Sequence, residues 1–259
     1  MLDLIHAKRV FAEYLKQFDR EDEKIKLKIV HTEGVVRCAQ DICKRMNLSE
    51  EDCRLAELIA LLHDIGRFEQ VRIYDSFEPA VMNHAAFGIQ LLFGEQKMIR
   101  RFVTEEKWDS IICQAIARHS DFSVGKGLTS RELLHACIIR DADKLDNCRV
   151  KLEEKIEVLL GCSPEEAGSQ AISAEVWKEC LEHSSIHSNI RKTKMDYWVS
   201  YMAYFFDINY SETCEIILEN HYADKIIKRI SYSNSDTEQK MGELYDMVIT
   251  YLKNNTASK

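Results

Sequence analysis

Six residues of metal-ligand type stand at intervals along the first part of the chain: His31, His63, Asp64, His84, His119 and Asp143. Neutral imidazoles and carboxylates suit iron, manganese, zinc and nickel, and six protein ligands exceed what one metal with an open catalytic position takes. Two divalent metals bridged by one carboxylate account for the number. The adjacent pair in Leu61-Leu62-His63-Asp64-Ile65-Gly66-Arg67 offers the bridge. A buried carboxylate needs a cation or donors. Asp64 between two cations would be neutralised, and a water or hydroxide shared by the metals would have a depressed pKa and attack phosphorus in line.

Helices must bring these residues together. Leu4 to Phe18 is amphipathic and leads into a charged run from Asp19 to Lys24. A helix is expected from about Ile25 to Met46, with His31 on its apolar stripe between Leu27 and Val35. Ser49 with acids behind it starts the next helix, and Leu55 to Leu62 is nearly all apolar. That helix is expected to end at His63-Asp64-Ile65-Gly66 with Gly66 as C-cap, followed by a loop or broken helix from Phe68 to Pro79. Ala80 to Glu95 is read as a helix with Val81, His84, Gly88 and Leu91 on one face, and Thr104 as the cap of a helix to about Ser120 that turns His119 inward. Ser120 to Leu128 is a loop, either a flexible lid or a plain connection. Its Gly125-Lys126-Gly127 lacks the spacing and the preceding strand of a phosphate-binding loop. Thr129-Ser130-Arg131-Glu132 has capping-box spacing and opens a helix through Asp146, on which Asp143 shares a face with Ile139 and Val150 while solvated surface explains Asp141 and Lys144.

Beyond residue 150 the pattern is again helical. Ser163-Pro164-Glu165-Glu166 is a helix start, and the aromatic run Tyr197 to Phe206 reads as a core helix. The expected organisation is all-α: a metal-binding helical core over residues 1–150 and a helical extension over 151–259 packed on it, as one continuous domain.

The order His31, His63-Asp64, His84, His119, Asp143 resembles the HD-domain superfamily of metal-dependent phosphohydrolases in its six-ligand, two-metal form. His63-Asp64-Ile65-Gly66-Arg67 matches the motif that names the family, His84-Ala85-Ala86-Phe87-Gly88 is similar to the His-x-x-x-Gly of the HD-GYP phosphodiesterases, and Asp143-Lys144-Leu145-Asp146 resembles the last ligand motif, whose first acid binds metal. The resemblance covers residues 27 to 150 and implies an HD-domain helical bundle. It implies one metal on His31, His63, Asp64 and Asp143 and a second on Asp64, His84 and His119, with Asp143 rather than Asp141 as ligand. It also gives Arg67, beside Asp64, a catalytic or phosphate-contacting role, which Lys144 would share, and makes Asp146 an acceptor for a ligand histidine. Asn83, Arg118, Asn147 and Arg191 are secondary pocket candidates, and His6, His135, His183, His187 and His221 match no ligand position. The chain departs from two branches. It lacks the Gly-Tyr-Pro triplet of cyclic-dinucleotide phosphodiesterases, and Arg67-Phe68 stands where alarmone hydrolases have Glu-Asp.

The implied activity is hydrolysis of a phosphomonoester or phosphodiester, including nucleotides, with Asp64 at its centre. Two readings of other classes use the same ligands: a di-iron oxygenase of the HD type, and a non-catalytic metal-containing ligand sensor. A formal net charge of −8 disfavours duplex nucleic acid as partner. No apolar run approaches the ~20 residues of a membrane span, and the start of the chain lacks the features of a signal peptide, so a cytoplasmic protein is expected. The nine cysteines form no C-x-x-C and are expected as reduced core thiols.

Overall fold

The computed structural model describes residues 2–78 and 81–256. It is all-α, with no strand among the described residues. The chain divides into two compact units, Met1–Asp146 and Asn147–Lys259.

The first unit runs α1 (Leu4–Tyr14), α2 (Glu23–Arg45), α3 (Glu50–Leu62), α4 (Ile65–Tyr74), α5 (His84–Phe93), α6 (Ile99–Phe102), α7 (Asp109–Arg118) and most of α8 (Ser130–Glu153). Local chemistry sets the starts of the long helices. Asp22 accepts from the backbone N–H of Lys24 and Ile25 ahead of α2, and Ser49 accepts from Asp52 ahead of α3, caps that are each worth about 1 kcal/mol. Thr129 and Glu132 bond reciprocally at the entry to α8. The core is the apolar face of α3, with Leu55, Leu58, Ile59 and Leu62 all fully buried, against Val35, Ala39 and Ile42 of α2 and Ile112, Ala115 and Ile116 of α7.

Four aromatic rings lock α1 to α4. Phe68 meets Phe11, Tyr14 and Phe18 with ring centroids 5.9, 6.3 and 5.6 Å away, and the Tyr14 hydroxyl donates to the Ile65 carbonyl at 3.2 Å. The start of α4, directly after Asp64, is thereby held in place.

Several expected boundaries are corrected. Gly66 is no C-cap: α3 ends at Leu62, and α4 begins at Ile65 with Gly66 inside it. Of the loop or broken helix expected from Phe68 to Pro79, the first part is helix, continuing from Ile65 to Tyr74 with Ile65, Phe68 and Val71 buried as an apolar stripe; Pro79 lies outside the described residues. Gly66 is required by close approach, since a Cβ there would stand 2.2 Å from the His84 carbonyl oxygen and 2.8 Å from the Gly88 nitrogen. α5 starts at His84, where the Asn83 side chain accepts from Ala86 N–H, not at Ala80, which also lies outside the described residues. Thr104 does not cap α7, which begins after Trp108. Asp141 is not solvated surface but fully buried, as is its neighbour Arg140.

The second unit holds the end of α8 and α9 (Ile156–Leu160), α10 (Pro164–Ser169), α11 (Ala174–Leu181), α12 (Lys194–Ala203), α13 (Ser211–Glu219), α14 (Tyr222–Ile227) and α15 (Ser235–Thr256). Its polar knot is Asp196, which is fully buried and accepts from Ser173, Lys192 and Thr193. Trp198, Met202 and Phe205 of the aromatic run are core residues. Cys43, Cys53, Cys113, Cys162 and Cys180 are free thiols, and no helix among the described residues is long and apolar enough to cross a membrane.

Candidate metal centre

Asp64 follows the C-terminal end of α3 directly after His63, and the helices around it each bring a side chain to it. α2 contributes His31, the start of α5 His84 and the end of α7 His119. Two groups result, His31–His63–Asp64 and Asp64–His84–His119, all buried, with the ligand atoms of each group within 4.8 Å of one another. Asp64 belongs to both. Its Oδ1 lies 3.4 Å from His84 Nε2 and 3.6 Å from His119 Nε2, and its Oδ2 lies 3.7 Å from His63 Nε2.

The outer nitrogens of the rings set their tautomers. His63 Nδ1–H donates to the Ala60 carbonyl and His119 Nδ1–H to the Ile116 carbonyl, both at 2.7 Å. A carbonyl only accepts, so the Nε2 of each neutral ring carries a lone pair that faces Asp64. His63 Nε2 is buried with no hydrogen-bond partner, and His119 Nε2 stands 3.0 Å from His84 Nε2. A buried acceptor without a donor costs about 1–3 kcal/mol. Lone pairs converging on a carboxylate are what a divalent transition metal satisfies, and the donor set fits such ions.

α8 serves His31 from two sides. Asp143 and Asp146 are three residues apart and share a face; Asp146 Oδ2 lies 2.8 Å from His31 Nδ1, and Asp143 Oδ1 lies 3.0 Å from His31 Nε2. The first contact orients the ring, and the second puts Asp143 beside the first group. Gly34, one turn past His31, makes room for Asp146: a Cβ at Gly34 would fall 1.8 Å from Asp146 Oδ1.

Burial lowers the pKa of His63 to about 4 and that of His84 to about 2, overriding the attraction of Asp64. For His31 burial and Lys28 push down, but the hydrogen bonds from Asp143 and Asp146 outweigh them and hold the ring above its ordinary value. Burial pushes Asp64 up, yet Lys28 and the surrounding imidazoles hold it well below the carboxylate range, as His31 and His63 do for Asp143. At neutral pH Asp64 and Asp143 are ionised and His63 and His84 uncharged, the protonation states that metal binding needs.

Arg67 lies with Nε 3.7 Å from Asp64 Oδ1, while its Nη1 donates to Gln70 Oε1 and the Phe77 carbonyl, both at 2.8 Å. Lys144 is half-buried next to Asp143. Arg118 donates to the Val124 carbonyl, and Arg140 donates to the carbonyls of Arg118, His119 and Asp121, so two arginines staple the loop that follows His119. Asn147 and Arg191 belong to the second unit, where Arg191 stacks on the Tyr197 ring at 4.3 Å. His6, His135, His183, His187 and His221 belong to neither ligand group.

Sequence reasoning missed Lys28, whose Nζ donates to Asp64 Oδ2 at 2.6 Å. Its signal was present: three residues before His31, it lies on the same face of α2. Gly34 was missed as well, although a glycine inside a long helix costs about 1 kcal/mol and calls for a reason.

This all-α unit thus carries two buried His/Asp groups with the donor chemistry to hold a metal ion. Residues 29–148 match the family model described as HD domain, and this segment is similar to the HD-domain superfamily, whose members are largely metal-dependent phosphohydrolases. No curated protein and no solved structure matches the chain.

Proposed function

We propose that this protein is a metal-dependent phosphohydrolase acting on a small-molecule phosphomonoester or phosphodiester, nucleotides included. The observation that carries the reading is Asp64, one carboxylate common to two buried ligand groups. In this reading His31, His63, Asp64 and Asp143 hold one divalent metal, and Asp64, His84 and His119 hold a second. When bound, two such ions supply an ionised water as nucleophile and offset charge on the phosphoryl group. The chain itself presents the Nε2 lone pairs of His63 and His119, fixes His31 through Asp146 and His63 and His119 through backbone carbonyls, and keeps bulk water from the buried donors. Arg67 and Lys144 belong to the same proposal as cations close to the ligand groups, Arg67 beside Asp64 and Lys144 beside Asp143.

Asp64→Ala tests it. The variant is expected to lose metal, measured by elemental analysis, and turnover of p-nitrophenyl phosphate and bis(p-nitrophenyl) phosphate. Turnover that persists in the variant would overturn the assignment.

A further inference from the structure

Lys28 reaches Asp64 from α2 with 16% of its side chain exposed, whereas His31, His63, Asp64 and His119 are all buried. The ammonium therefore sits at the rim of the cluster, 5.3 Å from the centre of the half-buried Phe77 ring. We propose that Lys28 is the cation that donates to a non-bridging phosphoryl oxygen of the bound phosphoester, an inference that rests on the phosphohydrolase reading above.

Position is the first support. Asp64 is common to both ligand groups, so an ammonium 2.6 Å from its Oδ2 borders both. Availability is the second. Arg67 approaches the same carboxylate, but its Nη1 is committed to Gln70 and the Phe77 carbonyl, which ties α4 to the segment after it. Lys28 has three N–H donors on a flexible stem, and its hydrogen bond among the described residues is to Asp64. Competition is the third. A metal ligated by Asp64 takes the lone pairs that the ammonium now uses. A lysine charge left beside divalent ions is repelled by them, and a phosphoryl group bound at the centre brings an anion that offsets this.

The test compares metal-loaded wild type with K28M, K28Q and K28R, using inorganic phosphate as the probe. Metal content is read by elemental analysis, phosphate binding by calorimetry, and turnover with p-nitrophenyl phosphate and bis(p-nitrophenyl) phosphate. K28M and K28Q are expected to keep their metal and to bind phosphate about tenfold more weakly or worse, with part of the affinity recovered in K28R. Equal phosphate affinity in wild type and both neutral variants would overturn the proposal. So would loss of metal from the neutral variants, which would make Lys28 only a support for Asp64. Weakened phosphate binding in a protein that hydrolyses neither test ester would uphold Lys28 as the anion contact while removing the hydrolase reading, so the two failures are distinguishable.

Discussion

His63 is fully buried with its Nδ1–H fixed on the Ala60 carbonyl, so protonating Nε2 means placing a charge in the core. The same holds for His84, and the consequence is a pH dependence of definite sign. An unfolded imidazole titrates near 6.5, but folded metal-free His63 titrates near 4 and His84 near 2. As pH falls from 6.5 toward 4 the unfolded chain takes up protons first, and folding loses stability. His31 acts in the opposite sense, since its raised pKa contributes stability below 6.5 that is lost as pH rises through the folded value. Asp64 and Asp143, both depressed, lose their contribution only when pH falls below the ordinary carboxylate value of 3.8. Two lowered histidines against one raised predict that chelator-treated protein loses about 1–3 kcal/mol between pH 6.5 and 4.5. Thermal melts across that range check it; a melting temperature that rises on acidification would contradict it. At this scale much of the centre was legible in advance, because a histidine on an apolar helical stripe, as His31 is between Leu27 and Val35, has few destinations but the interior. Lys28 was legible only as a face-mate of His31 on α2, since its meeting with Asp64 itself depends on how α2 packs on the end of α3.

The helices matter through how closely they approach. α4 and α5 come together at Gly66 and Gly88, and the start of α5 is what delivers His84 to Asp64. Gly66→Ala would put a methyl 2.2 Å from the His84 carbonyl oxygen, a backbone atom that cannot swing aside, so the two helices must part. The expected cost is about 1–3 kcal/mol, with weaker metal binding at the Asp64–His84–His119 group in a chelator-competition titration. Gly242 of α15 is the control: nothing lies within 4 Å of a Cβ there, and alanine should stabilise by about 0.5–1 kcal/mol. Were both substitutions equally harmless, the close approach of α4 and α5 would not be needed. This contact also explains the misread Gly66. A glycine after a buried helix is usually a cap, and its alternative use, as room for another backbone, is visible only when the second helix is in place. The choice between loop and broken helix over α4 stayed open in the sequence for a related reason: Glu69 and Gln70 are buried and interrupt the apolar pattern that marks a helix.

At the scale of the molecule, every proposed ligand lies in one unit. His31, His63, Asp64, His84, His119 and Asp143 all fall before the division after Asp146, which cuts α8 just beyond its last acid on His31. The all-α class was legible because two prolines in the whole chain leave helices free to run. The division expected after residue 150 and the one after Asp146 both fall within α8, which is one continuous helix. Metal that binds only folded protein stabilises it by mass action, about 2.7 kcal/mol at a concentration one hundred times Kd. Opening of α2, α3, α5, α7 or the first part of α8 separates ligands, whereas opening of α11 to α15 separates none. Hydrogen exchange followed by mass spectrometry, with manganese or zinc added to chelator-treated protein, is therefore expected to slow in peptides covering 23–146 and to change little in those covering 174–256. Slowing confined to the second unit would place the metal among other residues. Slowing around His31 and His63 with none around His84 and His119 would reduce the centre to its first group and leave Asp64 with a single ion to hold.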